Sequence, residues 1–337
     1  MALLTLDDII DVYGKLRQRG LGFILSKFNF KGLDRTRSAF DNSAARSSNA
    51  WNIPQVNQRW NQMITGDPHK EYEAYLVEKY LSGKKGLKMI SFGSGNCAHE
   101  LLLATTGVFD QITCVDIVQD RLDEAKSQID DRHLAQMNFL CENIYDLDLP
   151  EKSFDMVFFH ASLHHFKDIP ALLDSIVGRI LRADGLLVIN EYVGPNRLQF
   201  PSHQKNWINK GLRLIPKKFR KRKSSGVTKN KFYGSGTLRM IMADPSECVD
   251  SSSIIPALHD QYETLEERPF GGNLVINILK DIAHHFTEEN PETIPLLQDL
   301  FALEDLYLET YPSDYVFGVY RKSASNSKHL DLVSQGR

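Results

Sequence analysis

The middle of the chain alternates short apolar runs with helical patterns, and this alternation constrains the fold more than any other feature. The apolar runs have the length of buried strands and cover residues 87–93, 111–117, 137–141, 154–160 and 185–193. Stretches between them, such as 119–129, repeat apolar residues at helical spacing. Strands joined by helical crossovers run parallel, so the order predicts an α/β fold with a doubly wound, mostly parallel sheet.

Two segments flank this predicted core, which spans 86–193. Residues 1–85 are mainly helical in pattern and are predicted to form an N-terminal helical cap. Residues 194–260 interrupt the alternation and are predicted to be an inserted lid, with one helix over 207–223.

The C-terminal part, 261–322, returns to the core. Its two ends, 261–272 and 314–322, have the pattern of strands, and two helical stretches lie between them. No long crossover helix follows the final strand, so that strand is predicted to be antiparallel. The complete sheet then has seven strands, and residues 323–337 form a polar tail.

Composition indicates a globular protein of a reducing compartment. Hydrophobic residues make up 42% and charged residues 25% of the 337 positions, which excludes disordered and fibrous classes. The four cysteines lack CxxC spacing and are too few for a disulfide framework. The first ten residues carry acids where a secretion signal needs bases, and no apolar run is long enough to span a membrane. We therefore expect a cytoplasmic protein without a transmembrane segment.

The formal net charge of −3 conceals one strongly basic segment. Between Glu191 and Asp244 the chain has 13 Lys and Arg and no acidic residue. Its densest part, 217–223, would suit an anionic partner, but Phe219 is its only aromatic residue and no RNA-binding module accompanies it. A solvated helix face is the favoured interpretation, ahead of an anionic substrate or lipid surface, and no nucleic-acid partner is expected.

A glycine loop follows the first strand of the core. The strand runs into Gly93, Ser94 and Gly95, and a helix begins directly afterwards. Glycines in such a turn allow the backbone to approach a ligand closely, and the helix start offers unpaired N–H groups. Asp116 ends the next strand, where a carboxylate can accept hydrogen bonds from both ribose hydroxyls. The combination predicts a nucleotide site.

Two ligand classes fit this loop. Gly93, Gly95 and Ala98 satisfy the dinucleotide pattern Gly-x-Gly-x-x-Ala, although no second mononucleotide half follows. S-adenosylmethionine has no phosphates and tolerates the loss of the third glycine. The stretches FLCENIYDLDLPEKSFDMVFFHASLHHF (139–166) and LRADGLLVINEYVG (181–194) favour the second ligand. With them the sequence resembles the class I S-adenosylmethionine-dependent methyltransferases of the small-molecule type, over roughly 85–193 and again in the closing strand pair.

The resemblance implies a set of cofactor contacts. Gly93, Ser94 and Gly95 would pass beneath the methionine part, and Asp116 would hold the ribose. The remaining implied contacts are Ile117 packed on the adenine, Asn143 with the Ile144 backbone at the adenine edge, and His160 on the floor of the site.

The sequence departs from the family pattern at two positions. Ser91 stands where the family has an acid before the glycine loop, and Asn143 stands where Asp is commoner. Glu100, in the first helical turn after the loop, is the predicted substitute for the missing acid. The alternative is that Glu100 is only a first-turn acid favoured by the helix dipole.

Methyl transfer needs an aligned nucleophile and, for a hydroxyl acceptor, a base. The loop HASLHHF (160–166) follows the fourth strand, and histidine titrates near neutral pH. By similarity to small-molecule O-methyltransferases, the candidate base is His164 or His165, with Glu191 from the fifth strand. No metal site is predicted. The substrate-lining candidates are Tyr192, Asn196 and Arg197.

The predicted activity is methyl transfer from S-adenosylmethionine to a small-molecule hydroxyl, with S-adenosylhomocysteine as the product. The first alternative is methylation of nitrogen, sulfur or a macromolecule. The alternatives from another class are a nicotinamide-dependent oxidoreductase and a nucleotide-binding protein without catalysis.

Overall fold

The computed structural model describes residues 2–19 and 48–322. Seven strands form one sheet in the order β3-β2-β1-β4-β5-β7-β6, mostly parallel with one antiparallel strand. The strands are β1 (Leu87–Phe92), β2 (Phe109–Asp116), β3 (Met137–Cys141), β4 (Phe154–His160), β5 (Leu181–Tyr192), β6 (Tyr262–Gly271) and β7 (Tyr315–Lys322). The predicted fold class is confirmed. The predicted polar tail lies outside the described residues.

Helices connect and flank the strands. They are α1 (Leu6–Arg19), α2 (Pro54–Thr65), α3 (Tyr72–Tyr80), α4 (Ala98–Ala104), α5 (Gln119–Gln128), α6 (Asp131–Leu134), α7 (Ser202–Leu214), α8 (Thr237–Ala243), α9 (Ile254–Gln261), α10 (Val275–Leu279) and α11 (Thr293–Leu308). A further helical stretch leads into β5 and consists of Ile169–Ala171, the π-helical Leu172–Val177 and Gly178–Ile180. Among the described helices, none has both the length and the apolar composition needed to cross a membrane.

The strand order fixes where a ligand crevice forms. After β1 the chain builds the sheet outwards through β2 and β3, and it then returns to place β4 on the other side of β1. Both neighbours of β1 run parallel to it, with Ser91 opposite Cys114 of β2 and Phe158 of β4. Ligands of open α/β sheets bind where the order reverses, outside the carboxyl ends of the strands. The ends of β1 and β4 therefore mark the predicted site.

One face of the sheet carries the main apolar core. Ile90, Val157 and Leu187 lie on the three central strands and are fully buried. They pack with the helical stretch before β5 and with α9, through residues such as Leu173 and Leu258. The opposite face of these strands is buried as well, at Met89, Met156 and Val188. Because β1, β4 and β5 are covered on both faces, their apolar runs are continuous rather than alternating.

The described chain divides into two compact units. Among the described residues, the first consists of 2–19, 48–70, 194–248 and 269–315, and the second of 71–193, 249–268 and 316–322. Helix α3 is grouped with the sheet, and the predicted segment boundaries stay predictions. The roles of cap and lid stay predictions.

The predicted helix over 207–223 is wrong in its second half. Helix α7 ends at Leu214, and only the short 3-10 turn Lys217–Arg220 follows. Pro216 causes the break, because proline disfavours a helical conformation in the residue before it. Ile215 is accordingly extended, with φ −81° and ψ 125°.

A charged cluster fastens α3 to β6 in the second unit. Glu266 accepts hydrogen bonds from the Tyr75 hydroxyl at 2.8 Å, the Tyr80 hydroxyl at 2.7 Å, Lys79 Nζ at 2.9 Å and Arg268 Nε at 2.7 Å. Burial acts to raise the pKa of Glu266, but these hydrogen bonds outweigh it and lower the pKa to about 2. The ionised Glu266 side chain therefore stabilises the folded state.

We expect Glu266→Gln to lower the free energy of unfolding at pH 7 by about 1–3 kcal/mol, the usual cost of losing charge-assisted hydrogen bonds. Because the folded pKa is below the usual value, the stabilisation is complete above about pH 5 and is lost as the pH falls towards 2. Urea unfolding at pH 7 and pH 3 measures both effects. Equal losses at the two pH values would contradict the assignment, and Glu263→Gln on the same strand is the control.

Candidate cofactor and active site

The glycine loop has the geometry that the sequence predicted. Gly93 and Gly95 have φ of +67° and +55°, a region that favours glycine. The N–H groups of Gly93 and Ser94 both donate to the Val115 carbonyl, at 2.8 and 3.1 Å, which ties the loop to the end of β2. A Cβ on Gly93 would lie 2.7 Å from the Cβ of Ser162, so the loop after β4 depends on this glycine.

Asp116 is held at the end of β2 by backbone groups. Its carboxylate accepts from the Gly95 N–H at 2.8 Å and from the Val118 N–H at 2.9 Å. Burial raises the pKa of Asp116, and the two hydrogen bonds oppose that effect. A carboxylate has about four acceptor positions, so two bonds fix its orientation and leave capacity for ribose hydroxyls.

Glu100 is a buried partner of Ser91 beneath the loop. Its side chain is 2% exposed, and it accepts a hydrogen bond from the Ser91 hydroxyl at 2.5 Å. Burial raises the pKa of Glu100, although the bond from Ser91 lowers it. A surface acid at a helix start would be solvated, so the carboxyl of Glu100 belongs to the interior below the glycine loop. This position fits the predicted substitution for the missing acid, which stays a prediction.

The predicted adenine contacts lie around the end of β3. Asn143 caps the short 3-10 turn Ile144–Asp146, since its Oδ1 accepts from the Tyr145 N–H and its Nδ2 donates to Asp146. Ile144 is buried in the core, and Ile117 follows Asp116 directly. The Asn143 side chain therefore has a local structural role besides its predicted role at the adenine edge.

His160 lies in an aromatic and polar cluster that sequence analysis did not assemble. Its Nδ1 is 2.8 Å from the Tyr72 hydroxyl, and the two rings stack at an interplanar angle of 5°. The ring of His99 lies 3.5 Å from that of His160, centroid to centroid, and Nδ1 of His99 pairs with Glu73. Helices α3 and α4 thus meet the end of β4. The only sequence signal was a histidine in the first turn after the glycine loop.

The two histidines of this cluster differ in charge preference. Burial lowers the pKa of His160 well below its usual range, and His99 and His164 add to the effect. Burial also acts against a charged His99, but the hydrogen bond and charge of Glu73 outweigh it and raise the pKa. At the end of β4, burial therefore disfavours the charged form of His160, whereas Glu73 favours the charged form of the neighbouring His99.

Glu191 organises the loop after β4. It is fully buried, and its Oε1 accepts from the backbone N–H groups of Ser162 and Leu163. Its Oε2 lies 2.7 Å from Nδ1 of His164, whose residue is 8% exposed. Ser162 in turn donates its hydroxyl to the Phe92 carbonyl at 2.7 Å. Strands β1, β4 and β5 thus fix one histidine in one orientation.

The remaining predicted site residues are not equivalent. The His165 ring lies 4.3 Å from that of His164, and no described hydrogen bond joins it to Glu191. Tyr192 is buried and meets the His164 ring edge-on at 6.2 Å. Asn196 and Arg197 belong to the first unit, where Arg197 Nη1 donates to the Glu247 carbonyl at 3.1 Å.

Comparison with known proteins decides between the two ligand classes. Residues 90–189, from β1 into β5, match the family model of a methyltransferase domain. Residues 90–189 form a class I S-adenosylmethionine-dependent methyltransferase domain. The predicted methyltransferase class and its cofactor are confirmed, and the dinucleotide alternative is set aside. The small-molecule type stays a prediction. Gly93, Gly95 and Asp116 are compatible with this cofactor, because the glycine conformations let a ligand approach the backbone and the oriented carboxylate can accept from ribose hydroxyls.

Several solved structures resemble the methyltransferase over most of its length. The [4+2]-cyclase SpnF is 14% identical, with 95% of this chain and 98% of that one covered and a TM-score of 0.45. An S-adenosylmethionine-dependent methyltransferase from Mesorhizobium loti is 13% identical, with 75% and 98% covered and a TM-score of 0.45. A sarcosine dimethylglycine methyltransferase homologue from Galdieria sulphuraria is 15% identical, with 75% and 84% covered and a TM-score of 0.46. No curated protein sequence matches the chain.

Proposed function

We propose that this methyltransferase methylates a hydroxyl group of a small molecule, with His164 as the general base. The hydrogen bond between Glu191 and His164 is the observation that carries the proposal. It joins a fully buried acid to the imidazole at the carboxyl end of the sheet, beside the glycine loop. The arrangement is that of an acid that orients a base.

The residues predicted to bind the cofactor position the methyl donor. S-adenosylmethionine supplies an electrophilic methyl group on a positively charged sulfur. Gly93 and Gly95 leave room for a ligand against the backbone, and Asp116 offers carboxylate oxygens to the ribose. Glu100 adds a buried carboxyl below the loop, within reach of the Ser91 hydroxyl. Such positioning supplies much of the rate enhancement in a displacement between two bound molecules.

Glu191 fixes the tautomer of the His164 ring that can act as a base. Because the carboxylate accepts at Nδ1, the neutral ring carries its proton there and keeps Nε2 as the basic atom. Nε2 then takes the proton from the acceptor hydroxyl as the methyl group is transferred, and Glu191 stabilises the imidazolium that results. The two backbone donors from Ser162 and Leu163 keep the carboxylate in place throughout.

A small acceptor is favoured by the burial of these groups. His164 is only 8% exposed, so a group that receives a methyl there must enter a confined site rather than dock on a surface. Tyr192 supplies an aromatic wall beside the ring. Asn196 and Arg197 stay predicted substrate contacts, and the cytoplasmic location stays a prediction.

An acceptor panel tests the proposed function. The full chain is incubated with S-adenosylmethionine and matched small molecules that carry a hydroxyl, an amine or a thiol, and product mass and S-adenosylhomocysteine are measured. We expect methylation of a hydroxyl compound and release of one S-adenosylhomocysteine for each methyl group transferred. Exclusive methylation of amines, thiols or a macromolecule would overturn the acceptor assignment.

A further inference from the structure

Helix α1 turns its apolar side outwards. Leu6, Ile9 and Tyr13 are 48%, 63% and 53% exposed, whereas Asp7 and Asp8 are buried. An ordinary surface helix has the opposite arrangement, with apolar residues against the core and acids in water. Contacts within the fold must therefore stabilise the inverted orientation of α1. The exposed apolar side is available to a binding partner.

Ion pairs with the basic segment cause the inversion. Asp7 accepts from Arg222 Nη2 at 2.6 Å and from the backbone N–H of Tyr233 at 2.7 Å. Asp11 accepts from Arg239 Nη2 at 2.7 Å. The acids of α1 are thus neutralised on its inner side by the segment 217–239. Asp8 also pairs with Arg239. None of the three acids of the described helix therefore lies on its outer side.

Helix α8 extends the apolar surface. The N–H of Leu238 donates to the Leu3 carbonyl at 3.2 Å, which joins the start of α8 to the chain before α1. The apolar patch is the set of exposed side chains on these two elements: Leu3, Leu4, Leu6, Ile9, Val12, Tyr13, Leu238, Ile241 and Met242. Nine exposed apolar side chains on two adjoining elements favour an interaction site over the scatter of a normal surface.

The segment that packs on α1 carries exposed lysines. These bordering lysines are at 217, 221, 223 and 231, and the segment 217–239 contains no acidic residue. Lys218, in the same segment, is paired with Glu292. The segment packs directly on α1, because Arg17 Nη1 donates to the Ser225 carbonyl at 3.1 Å and a Cβ on Gly14 would lie 2.9 Å from Ser224 Oγ. Aliphatic side chains beside clustered cations are the composition of helices that lie in the membrane interface.

We propose that the apolar patch and its bordering lysines bind the surface of an anionic lipid bilayer. The aliphatic side chains enter the boundary between headgroups and acyl chains, and the lysines meet the lipid phosphates and carboxylates. Nucleic acid would engage the lysines but would leave the leucines and isoleucines in water. A two-fold dimer through the patch would bring the same basic border of both copies together, which opposes that arrangement.

Vesicle co-sedimentation of the full chain tests this proposal. Vesicles of phosphatidylcholine alone are compared with vesicles that also contain phosphatidylserine, at low and high salt. We expect binding to the anionic vesicles, weakened by salt, and at most weak binding to the neutral ones. The double variant Ile9→Gln/Ile241→Gln and the double variant Lys221→Gln/Lys223→Gln are each expected to weaken binding about tenfold or more.

Matched variants outside the patch serve as controls. Leu306→Gln changes an aliphatic residue of α11 that is 47% exposed, and Lys84→Gln/Lys85→Gln removes two exposed lysines of the second unit. Both are expected to bind as the unchanged protein does, and circular dichroism checks the folding of every variant. Absence of vesicle binding, or unchanged binding by the folded Ile9→Gln/Ile241→Gln variant, would overturn the proposal. So would a dimer in sedimentation velocity that this same variant dissociates.

Discussion

Replacing His164 by alanine is expected to reduce turnover by about a hundredfold to ten-thousandfold, the range that a positioned general base contributes. The affinity for S-adenosylhomocysteine should stay within about twofold, since His164 orients towards Glu191 rather than towards the glycine loop. Single-turnover kinetics with saturating S-adenosylmethionine, combined with calorimetric titration of the product, separates the two effects. A loss of affinity without a loss of rate would remove His164 from the chemistry.

Two further variants make the assignment specific. His165→Ala is expected to reduce turnover by less than about tenfold, because Glu191 is hydrogen-bonded to the neighbouring residue instead. His133→Ala, at a partly buried histidine that pairs with Asp130, is the control for the loss of an imidazole. If His165→Ala causes the larger loss, the roles of the two adjacent histidines are reversed.

Asp116→Ala is expected to weaken the binding of S-adenosylhomocysteine by about 1–3 kcal/mol, or roughly fivefold to 150-fold. The change removes the carboxylate predicted to hold the ribose, and it also releases the Gly95 and Val118 N–H groups that orient the loop. Calorimetric titration measures the loss directly. A dissociation constant equal to that of the unchanged protein would exclude Asp116 from the cofactor site.

A second substitution separates these two contributions. Asp116→Asn keeps a carbonyl oxygen for only one of the two backbone donors, which bind different oxygens of Asp116, and it lacks the charge. We therefore expect it to recover part of the affinity and part of the thermal stability. Asp120→Ala, an exposed acid at the start of α5, is the control and should bind the product normally. Identical behaviour of the alanine and asparagine variants would assign the loss to ribose recognition alone.

The strand pattern and the glycine loop were predictable because both depend on local sequence. Apolar runs of strand length that alternate with helical patterns predict a mostly parallel sheet, and the structure has this sheet. Gly93 and Asp116 were found for a related reason, since a turn at the end of one strand and an acid at the end of the next meet at the same edge of the sheet. These positions predict a nucleotide site, and the stretches 139–166 and 181–194 carry the resemblance to the confirmed methyltransferase class.

The interruption of the predicted helix at residue 215 was also within reach of the sequence, through Pro216. The structure shows that Pro216 ends α7 at Leu214, through the restriction that proline places on the conformation of the residue before it. Local backbone chemistry therefore overrides periodicity at such a position.

Other parts of the site depend on contacts between residues distant in sequence. The histidine cluster joins Tyr72, His99 and His160 from three elements, and no spacing within the sequence connects them. The sequence leaves both His164 and His165 as candidate bases, since the side chains of adjacent residues differ only in direction. In the structure, β5 places Glu191 at Nδ1 of His164 and so distinguishes the two.

The sequence by itself determined the class of fold and the edge of the sheet at which the cofactor site forms, because hydrophobic periodicity and turn glycines act over short stretches of chain. Only the tertiary structure decided which histidine receives the orienting acid and which side of α1 faces outwards. Both outcomes depend on ion pairs and hydrogen bonds between distant segments, whose free energy exists only once the segments have been brought together and removed from water.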